Sequence, residues 1–184
     1  MTTLRLALWI VLAVAQLAVP AWMIVGEERV LREGQQLKLL TRPVDPADIF
    51  RGRYVALGFV VEQVPRELAR GQFDPEDVAY LELRQNPEGF GEIVALHKAK
   101  PEAELVLKTT IGLVTPETVT VQLPFDRYYM DENAAPEAEA VYRARNAGPS
   151  DAWVTVRVLN GRAVLEELYI GGRPVREFLR EQPR

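Results

Sequence analysis

The chain opens with a long hydrophobic run and then changes to short segments in which hydrophobic and polar residues alternate. From Leu6 to Val25 it contains no charged residue. At about 1.5 Å of rise per residue, a helix of this length crosses the roughly 30 Å hydrocarbon core of a bilayer. Trp9 and Trp22 lie towards its two ends, where aromatic side chains anchor at membrane interfaces. The pattern predicts one transmembrane helix that extends to a cap at about Gly34.

The alternating segments that follow have the two-residue period of half-buried strands and are bounded by turn residues. They cover residues 36–41, 54–61, 80–84, 92–98, 104–114, 118–123, 153–159 and 162–170. Asn160 and Gly161 separate the last two segments, and Asn-Gly between alternating runs is a strong hairpin signal. The sequence therefore predicts about eight short strands, joined mostly by hairpins.

Helical signals are fewer in this part of the chain. The Asp45-Pro46 pair predicts a single helical turn over residues 47–50. Residues 136–146 predict a longer helix, with acidic residues near its start and arginines near its end. Its expected inward face contains Ala138, Val141 and Tyr142.

Together these elements predict a mainly β protein with one or two helices, of the α+β class. We expect an antiparallel sheet that closes towards a barrel or a sandwich, preceded by one N-terminal transmembrane helix. The 184 residues suffice for one compact domain beside the helix. Residues 1–34 are assigned to a cytoplasmic stub, the helix and its extension, and residues 35–184 to a single soluble β-rich domain.

The charged residues on the two sides of the hydrophobic run indicate opposite orientations in the membrane. Arg5 favours an amino terminus inside the cell, whereas four cations follow the run on its other side. Long domains are translocated regardless of charge, so we expect a signal anchor in the inner (plasma) membrane, with a single pass and an extracytoplasmic domain. The alternative is a cleaved signal peptide with its small-residue site at Ala13 and Ala15.

The amino-acid composition argues against several kinds of binding and catalysis. The net charge is −4 without a dense cluster of Lys or Arg, which argues against nucleic acid as a partner. Cysteine is absent, and Ser150 and His97 are the only serine and histidine, so nucleophilic catalysis and zinc binding are disfavoured. His97 is expected to be a surface residue. The carboxylates between Asp126 and Glu132 do not have the spacing of a calcium loop. We expect no catalytic residue, cofactor or metal.

One motif stands out after the hydrophobic run. It comprises a proline-rich turn and a spaced set of small, aromatic and aliphatic residues: Pro43, Asp45, Pro46, Gly52, Tyr54, Leu57 and Phe59. The motif resembles that of the GDYXXLXY family, which contains membrane-anchored bacterial proteins of uncharacterised function. Phe59 keeps the final aromatic ring without its hydroxyl, and Arg53 replaces the aspartate of the family name. The resemblance implies a domain outside the cytoplasm and a polytopic membrane protein as partner, because relatives are encoded beside such proteins.

A second resemblance to the family is the segment that contains Arg127, Tyr128 and Tyr129. Adjacent residues point to opposite faces of an extended chain, so one of the two tyrosine rings is expected to be partly exposed. Tyr and Arg are enriched at interaction hot spots. The candidate interaction residues are Asp48, Arg51 and Arg53 in the proline-rich turn, and Arg127, Tyr128 and Tyr129.

These observations favour an accessory or interaction subunit of a polytopic membrane protein, attached to the bilayer through residues 6–25. Two alternatives remain open at this point. The first is an envelope hydrolase that uses Asp45 and Asp48 as acid and base. The second is an extracytoplasmic sensor of a small ligand. The plainer interpretation of the two aspartates is a helix cap with a surface ion pair.

Overall fold

A computed structural model of the protein describes residues 3–42, 54–130, 138, 142 and 151–180. The predicted long helix, α1, covers Thr3–Glu33, and a short helix, α2, covers Val175–Arg180. The strands are β1 (Gln35–Arg42), β2 (Tyr54–Ala56), β3 (Gly58–Phe59), β4 (Gln63–Pro65), β5 (Ala69–Arg70), β6 (Val78–Gln85), β7 (Gly91–His97), β8 (Val106–Val114), β9 (Thr118–Gln122), β10 (Arg127–Tyr129), β11 (Ala152–Leu159), β12 (Arg162–Ile170) and β13 (Arg173–Pro174).

The described strands form two large sheets and one ribbon. The first sheet has the order β13-β12-β11-β1-β3, the second has the order β4-β9-β8-β6-β7-β5, and β10 pairs with β2. Two backbone hydrogen bonds join the large sheets: Lys38 N–H donates to Gly89 O at 3.0 Å, and Lys108 N–H donates to Gly161 O at 2.9 Å. The result is a nearly closed, barrel-like sheet, as the predicted fold class requires.

The core lies between these sheets and is made of aliphatic side chains from both. Alternate residues of β1 and β11 point inward, so Leu37, Leu39, Val154 and Val156 are fully buried. Leu81, Leu107 and Ile111 face them from β6 and β8 and are fully buried as well. The predicted alternation of these strands is confirmed.

The predicted β11–β12 hairpin is confirmed together with its turn. Asn160 has φ 55° and Gly161 has φ 90°, which is the left-handed backbone that a two-residue hairpin turn requires. The pairing of β11 with β12 shifts register between Thr155 and Val156. Glu166 is the extra residue of the resulting bulge, because Thr155 pairs with Glu167 and Val156 with Leu165.

The prediction of one continuous strand over residues 54–61 is wrong, because two short strands and a 3-10 turn occupy this range. β2 ends at Ala56, the N–H of Leu57 closes its pairing with β10 by donating to Asp126 O at 2.8 Å, and β3 then pairs with β1. β3 then ends at Phe59, and a 3-10 turn covers Val60–Glu62. The side chain of Glu62 fixes this turn by accepting the N–H of Phe59 at 3.0 Å.

Two predicted helical segments fall mostly outside the described residues. The single turn expected over residues 47–50 lies outside them entirely. Of the helix expected over residues 136–146, Ala138 and Tyr142 are described, and both are helical and buried as predicted for its inward face. Val141 lies outside the described residues.

α1 is the one helix of the described residues that is long and apolar enough to cross a membrane, over Arg5–Glu33. Its final turns contact β11 and β12. The carboxylate of Glu27 accepts a hydrogen bond from Arg162, and Val30 is buried. A single residue, Gly34, separates α1 from β1. The end of the helix is therefore packed on the domain.

Candidate interaction site

The structure brings the family motif and the Arg127 segment together. β10 pairs antiparallel with β2, which places Tyr129 opposite Tyr54 and Arg127 opposite Ala56. The rings of Tyr54 and Tyr129 meet edge to face, with centroids 5.9 Å apart. The guanidinium carbon of Arg127 lies 4.9 Å from the centroid of Tyr54, within the range of a cation–π contact. We call Tyr54, Arg127 and Tyr129 the aromatic cluster.

The two neighbouring tyrosines of β10 point to opposite faces, as predicted. Tyr129 is 64% exposed, whereas Tyr128 is 5% exposed and belongs to the core. The aromatic cluster therefore presents one accessible tyrosine ring beside a cation. Tyr128 was also a candidate interaction residue, but its ring is buried in the core and does not reach the surface.

The hydroxyl of Tyr128 donates a hydrogen bond to the carboxylate of Glu167 on β12. Burial, followed by the hydrogen bond to Glu167, raises the pKa of Tyr128 to about 12. The phenol is therefore neutral and remains a donor throughout the physiological range of pH. This bond ties β10 to β12 beneath the aromatic cluster.

We expect Tyr128→Phe to lower the free energy of unfolding by about 1–2 kcal/mol at pH 7, since a hydrogen bond to a carboxylate is lost. The raised pKa of Tyr128 also predicts a dependence on pH. Its contribution is fully present below the ordinary tyrosine pKa of about 10 and is lost as the pH rises through about 12. Urea unfolding between pH 7 and 12 measures both effects. Tyr129→Phe is the control, because that ring is exposed; equal losses in the two variants would contradict the assignment.

The other described motif residues serve packing. Leu57 and Phe59 are buried, and the ring of Phe59 meets that of Phe125 edge to face, with centroids 5.5 Å apart. The remaining candidates lie outside the described residues: Pro43, Asp45, Pro46, Asp48, Arg51, Gly52 and Arg53. They occupy the segment that connects β1 to Tyr54, so they flank the aromatic cluster in sequence.

Sequence reasoning missed the buried carboxylate of Glu62. It accepts a hydrogen bond from Arg42 at 3.2 Å in addition to the bond from Phe59 N–H. Burial raises its pKa, while the bonds from Phe59 and Arg42 oppose that rise. The sequence around Glu62 has the alternation of a strand, so only its tertiary contacts reveal that its carboxylate is buried and hydrogen-bonded.

His97 is less exposed than predicted. Its Nε2 lies 2.7 Å from the carboxylate of Glu82, and both side chains are largely buried. His97 is partly buried, because the antiparallel pairing of β6 with β7 places Glu82 within its reach. Within the described ranges, no group of three or more His, Asp or Glu residues is arranged to hold a metal ion. Ser150 and Asp131 lie outside these ranges.

An open groove borders the aromatic cluster, with a volume of about 380 Å³. It lies between β10 and β12 and reaches the last turns of α1 and the start of α2. Arg127 and Tyr129 line one side, residues 163–166 of β12 line the other, and Glu27 and Arg176 complete it. We call it the β10–β12 groove.

An apolar helix packed directly onto a β-rich domain fits a membrane-anchored protein. The family description "GDYXXLXY protein" matches residues 16–168, from within α1 to within β12. The chain belongs to this family, and the predicted resemblance is confirmed. Comparisons with curated proteins and with solved structures gave no match.

Proposed function

We propose that the protein is a single-pass accessory subunit that binds a polytopic membrane protein, with its β-rich domain on the extracytoplasmic side of the inner membrane. The observation that supports this proposal is the aromatic cluster. Two segments more than seventy residues apart in sequence meet there, and the side chains that they expose are Tyr and Arg. These residue types supply a large part of the binding energy at protein interfaces.

The cluster is also held in place before any partner arrives. Pairing of β2 with β10 fixes the backbone of all three residues, and the ring of Tyr54 contacts both the guanidinium of Arg127 and the ring of Tyr129. Binding therefore costs little side-chain entropy, which leaves more of the contact energy for affinity.

α1 supplies a second contact within the bilayer. Its membrane-spanning part is exposed on all sides in the monomer, and Ala7, Ala18 and Ala21 lie within about 60° of one another around the helix axis. Small residues on one face allow another transmembrane helix to approach closely. Asp45 and Asp48, on which the hydrolase alternative depends, lie outside the described residues.

The test is co-purification of the tagged full-length protein from native membranes in mild detergent. We expect Tyr129→Ala to reduce the amount of a co-purified polytopic protein by about tenfold, because an exposed hot-spot ring is lost. Leu113→Ala on β8 is the matched control, since Leu113 is 63% exposed. Tyr128→Ala is unsuitable, because it would damage the core. Wild-type protein that returns alone would overturn the proposal.

A further inference from the structure

Gln16 stands at the middle of the apolar run in α1. Ten residues of the run precede it and nine follow it, so its side chain lies near the midplane of the bilayer. That side chain is exposed in the monomer, and its amide group has two donors and one acceptor. Lipid tails offer no hydrogen-bond partner, so a polar group left among them is costly. The monomer therefore exposes an amide to hydrocarbon at mid-bilayer depth.

Pro20 adds a second polar group at the same depth. It lies inside α1, four residues after Gln16, and in a helix the N–H at that position bonds the carbonyl four residues before it. Proline has no N–H, so the main-chain oxygen of Gln16 loses its helical donor. Serine and threonine side chains can replace such a bond, but the run from Leu6 to Val25 contains neither. A donor for this oxygen has to come from outside the run.

These groups lie on the side of α1 that bears the domain. At about 100° per residue, Pro20 is about 40° from Gln16 around the helix axis. Further along the helix, Glu27 is about 20° and Val30 about 40° from the direction of Gln16. Glu27 binds Arg162 of β12, and Val30 is buried. The domain thus stands above Gln16 and Pro20, which we call the polar face of α1.

The position of the domain indicates what can occupy the polar face. A second copy inserts in the same direction, so pairing two polar faces would bring both domains into the same space. The occupant that fits is a helix that turns at the membrane surface beneath the domain, as helices of a polytopic protein joined by a short loop do. The alanines of α1 face the other way, since Ala18 lies about 160° from Gln16.

We propose that the polar face of α1 binds a transmembrane helix of the polytopic partner that carries an uncharged hydrogen-bond donor, Ser, Thr, Asn or Gln, at mid-bilayer depth. This donor bonds the main-chain oxygen or the amide of Gln16. A charged residue does not fit, because Gln16 supplies no opposite charge and an unpaired charge at this depth is costlier still. This inference rests on the proposed function and specifies the chemistry of the partner helix. α1 then lies between two helices of the partner, one on each face.

The test places the photo-crosslinker p-benzoylphenylalanine at one of two positions of the full-length protein in native membranes. Leu12 is about 40° from Gln16 and reports on the polar face, whereas Val14 is about 160° from it and reports on the alanine side. We expect both probes to crosslink to the polytopic protein. The crosslink from Leu12 should fall on a transmembrane segment that contains Ser, Thr, Asn or Gln.

Three variants examine the hydrogen bonds themselves. Gln16→Leu should reduce the Leu12 crosslink about three- to tenfold, which is the range expected for a hydrogen bond between transmembrane helices. Gln16→Leu/Leu17→Gln is the matched variant, because it keeps the composition and moves the amide about 100° around the helix; we expect the same loss. Pro20→Ala restores the helical donor to the main-chain oxygen of Gln16 and should also reduce the crosslink.

The mapped partner residue completes the test. Replacing it with Leu should reduce the Leu12 crosslink as Gln16→Leu does, and the two changes together should cost little more than either alone, because they remove the same bond. Losses that add fully would contradict a direct hydrogen bond.

The outcomes separate this inference from the proposed function. If a polytopic protein co-purifies and crosslinks at Val14, but Leu12 crosslinks only to phospholipid or to a second copy, the inference is wrong and the proposed function stands. The same conclusion follows if the Leu12 crosslink is unchanged in Gln16→Leu or Pro20→Ala, or is retained in Gln16→Leu/Leu17→Gln. If no polytopic protein co-purifies with the wild type, both fail.

Discussion

Phe59→Ala is expected to lower the free energy of unfolding by about 3–5 kcal/mol, which is the usual cost of removing a buried aromatic ring. Phe59 is 0% exposed. Its ring packs against Phe125, and its backbone pairs with Thr41 of β1. A small domain has a total stability of about 5–15 kcal/mol, so this single truncation removes a large share.

Urea unfolding of the full-length protein in detergent measures the effect. Val60→Ala is the matched control, because Val60 is the next residue and is 51% exposed. We expect it to change the stability by no more than about 0.5 kcal/mol. Similar losses in the two variants would mean that the final aromatic position of the family motif does not serve the core.

The described residues of the family motif are divided between the aromatic cluster and the core. Tyr54 lies in the aromatic cluster, whereas Leu57 and Phe59 are buried in the core. The interruption of the strand at Leu57 turns the chain from its pairing with β10 to its pairing with β1. The described part of the motif thus combines a partly exposed ring with buried core residues.

The sequence was sufficient for features that depend on local chemistry. The apolar run predicted α1, and Asn160-Gly161 predicted the β11–β12 turn, because both signals are contained in a few neighbouring residues. Alternation also predicted that Tyr128 and Tyr129 would face opposite sides. It did not predict which of the two would be exposed, since that depends on the elements packed against β10.

The aromatic cluster and the groove could not be predicted, because they depend on pairings between distant segments. The contact of Tyr54 with Tyr129 requires the register of β2 against β10. The break at Leu57 depends on the change of partner strand from β10 to β1. β5 and β13 contain two residues each, which is too short for a periodic pattern to indicate a strand.

Gly34→Ala is expected to destabilise the junction between α1 and the domain by about 1–3 kcal/mol, as overpacking does. Gly34 was predicted as a helix cap, and α1 does end at the preceding residue. The structure gives a steric reason for the glycine. An added Cβ would lie 2.4 Å from Val30 O and 3.1 Å from both Arg157 Cβ and Val158 N. Backbone atoms cannot give way as a flexible side chain does, so the helix end must shift.

Gly112→Ala is the matched control, because a Cβ there would meet its nearest atom, Thr120 O, at 3.4 Å, an ordinary contact distance. The chain has no cysteine, so spin labels can be attached at Arg29→Cys and Leu113→Cys alone. We expect a narrow distance distribution between the labels in the otherwise wild-type protein and in Gly112→Ala, and a broader or displaced one in Gly34→Ala. An unchanged distribution in Gly34→Ala would contradict the tight junction.

The same junction connects this prediction to the proposed function. Arg157 donates to Gly34 O at 3.3 Å and pairs with Glu166 beside the groove, so the end of α1 and the groove wall share one network. If α1 and the aromatic cluster bind one partner together, the fixed geometry between them raises the effective concentration of the second contact. Gly34→Ala should then weaken co-purification of the partner even though both binding surfaces are unaltered. Unchanged co-purification despite a broadened distance distribution would show that the two contacts act independently.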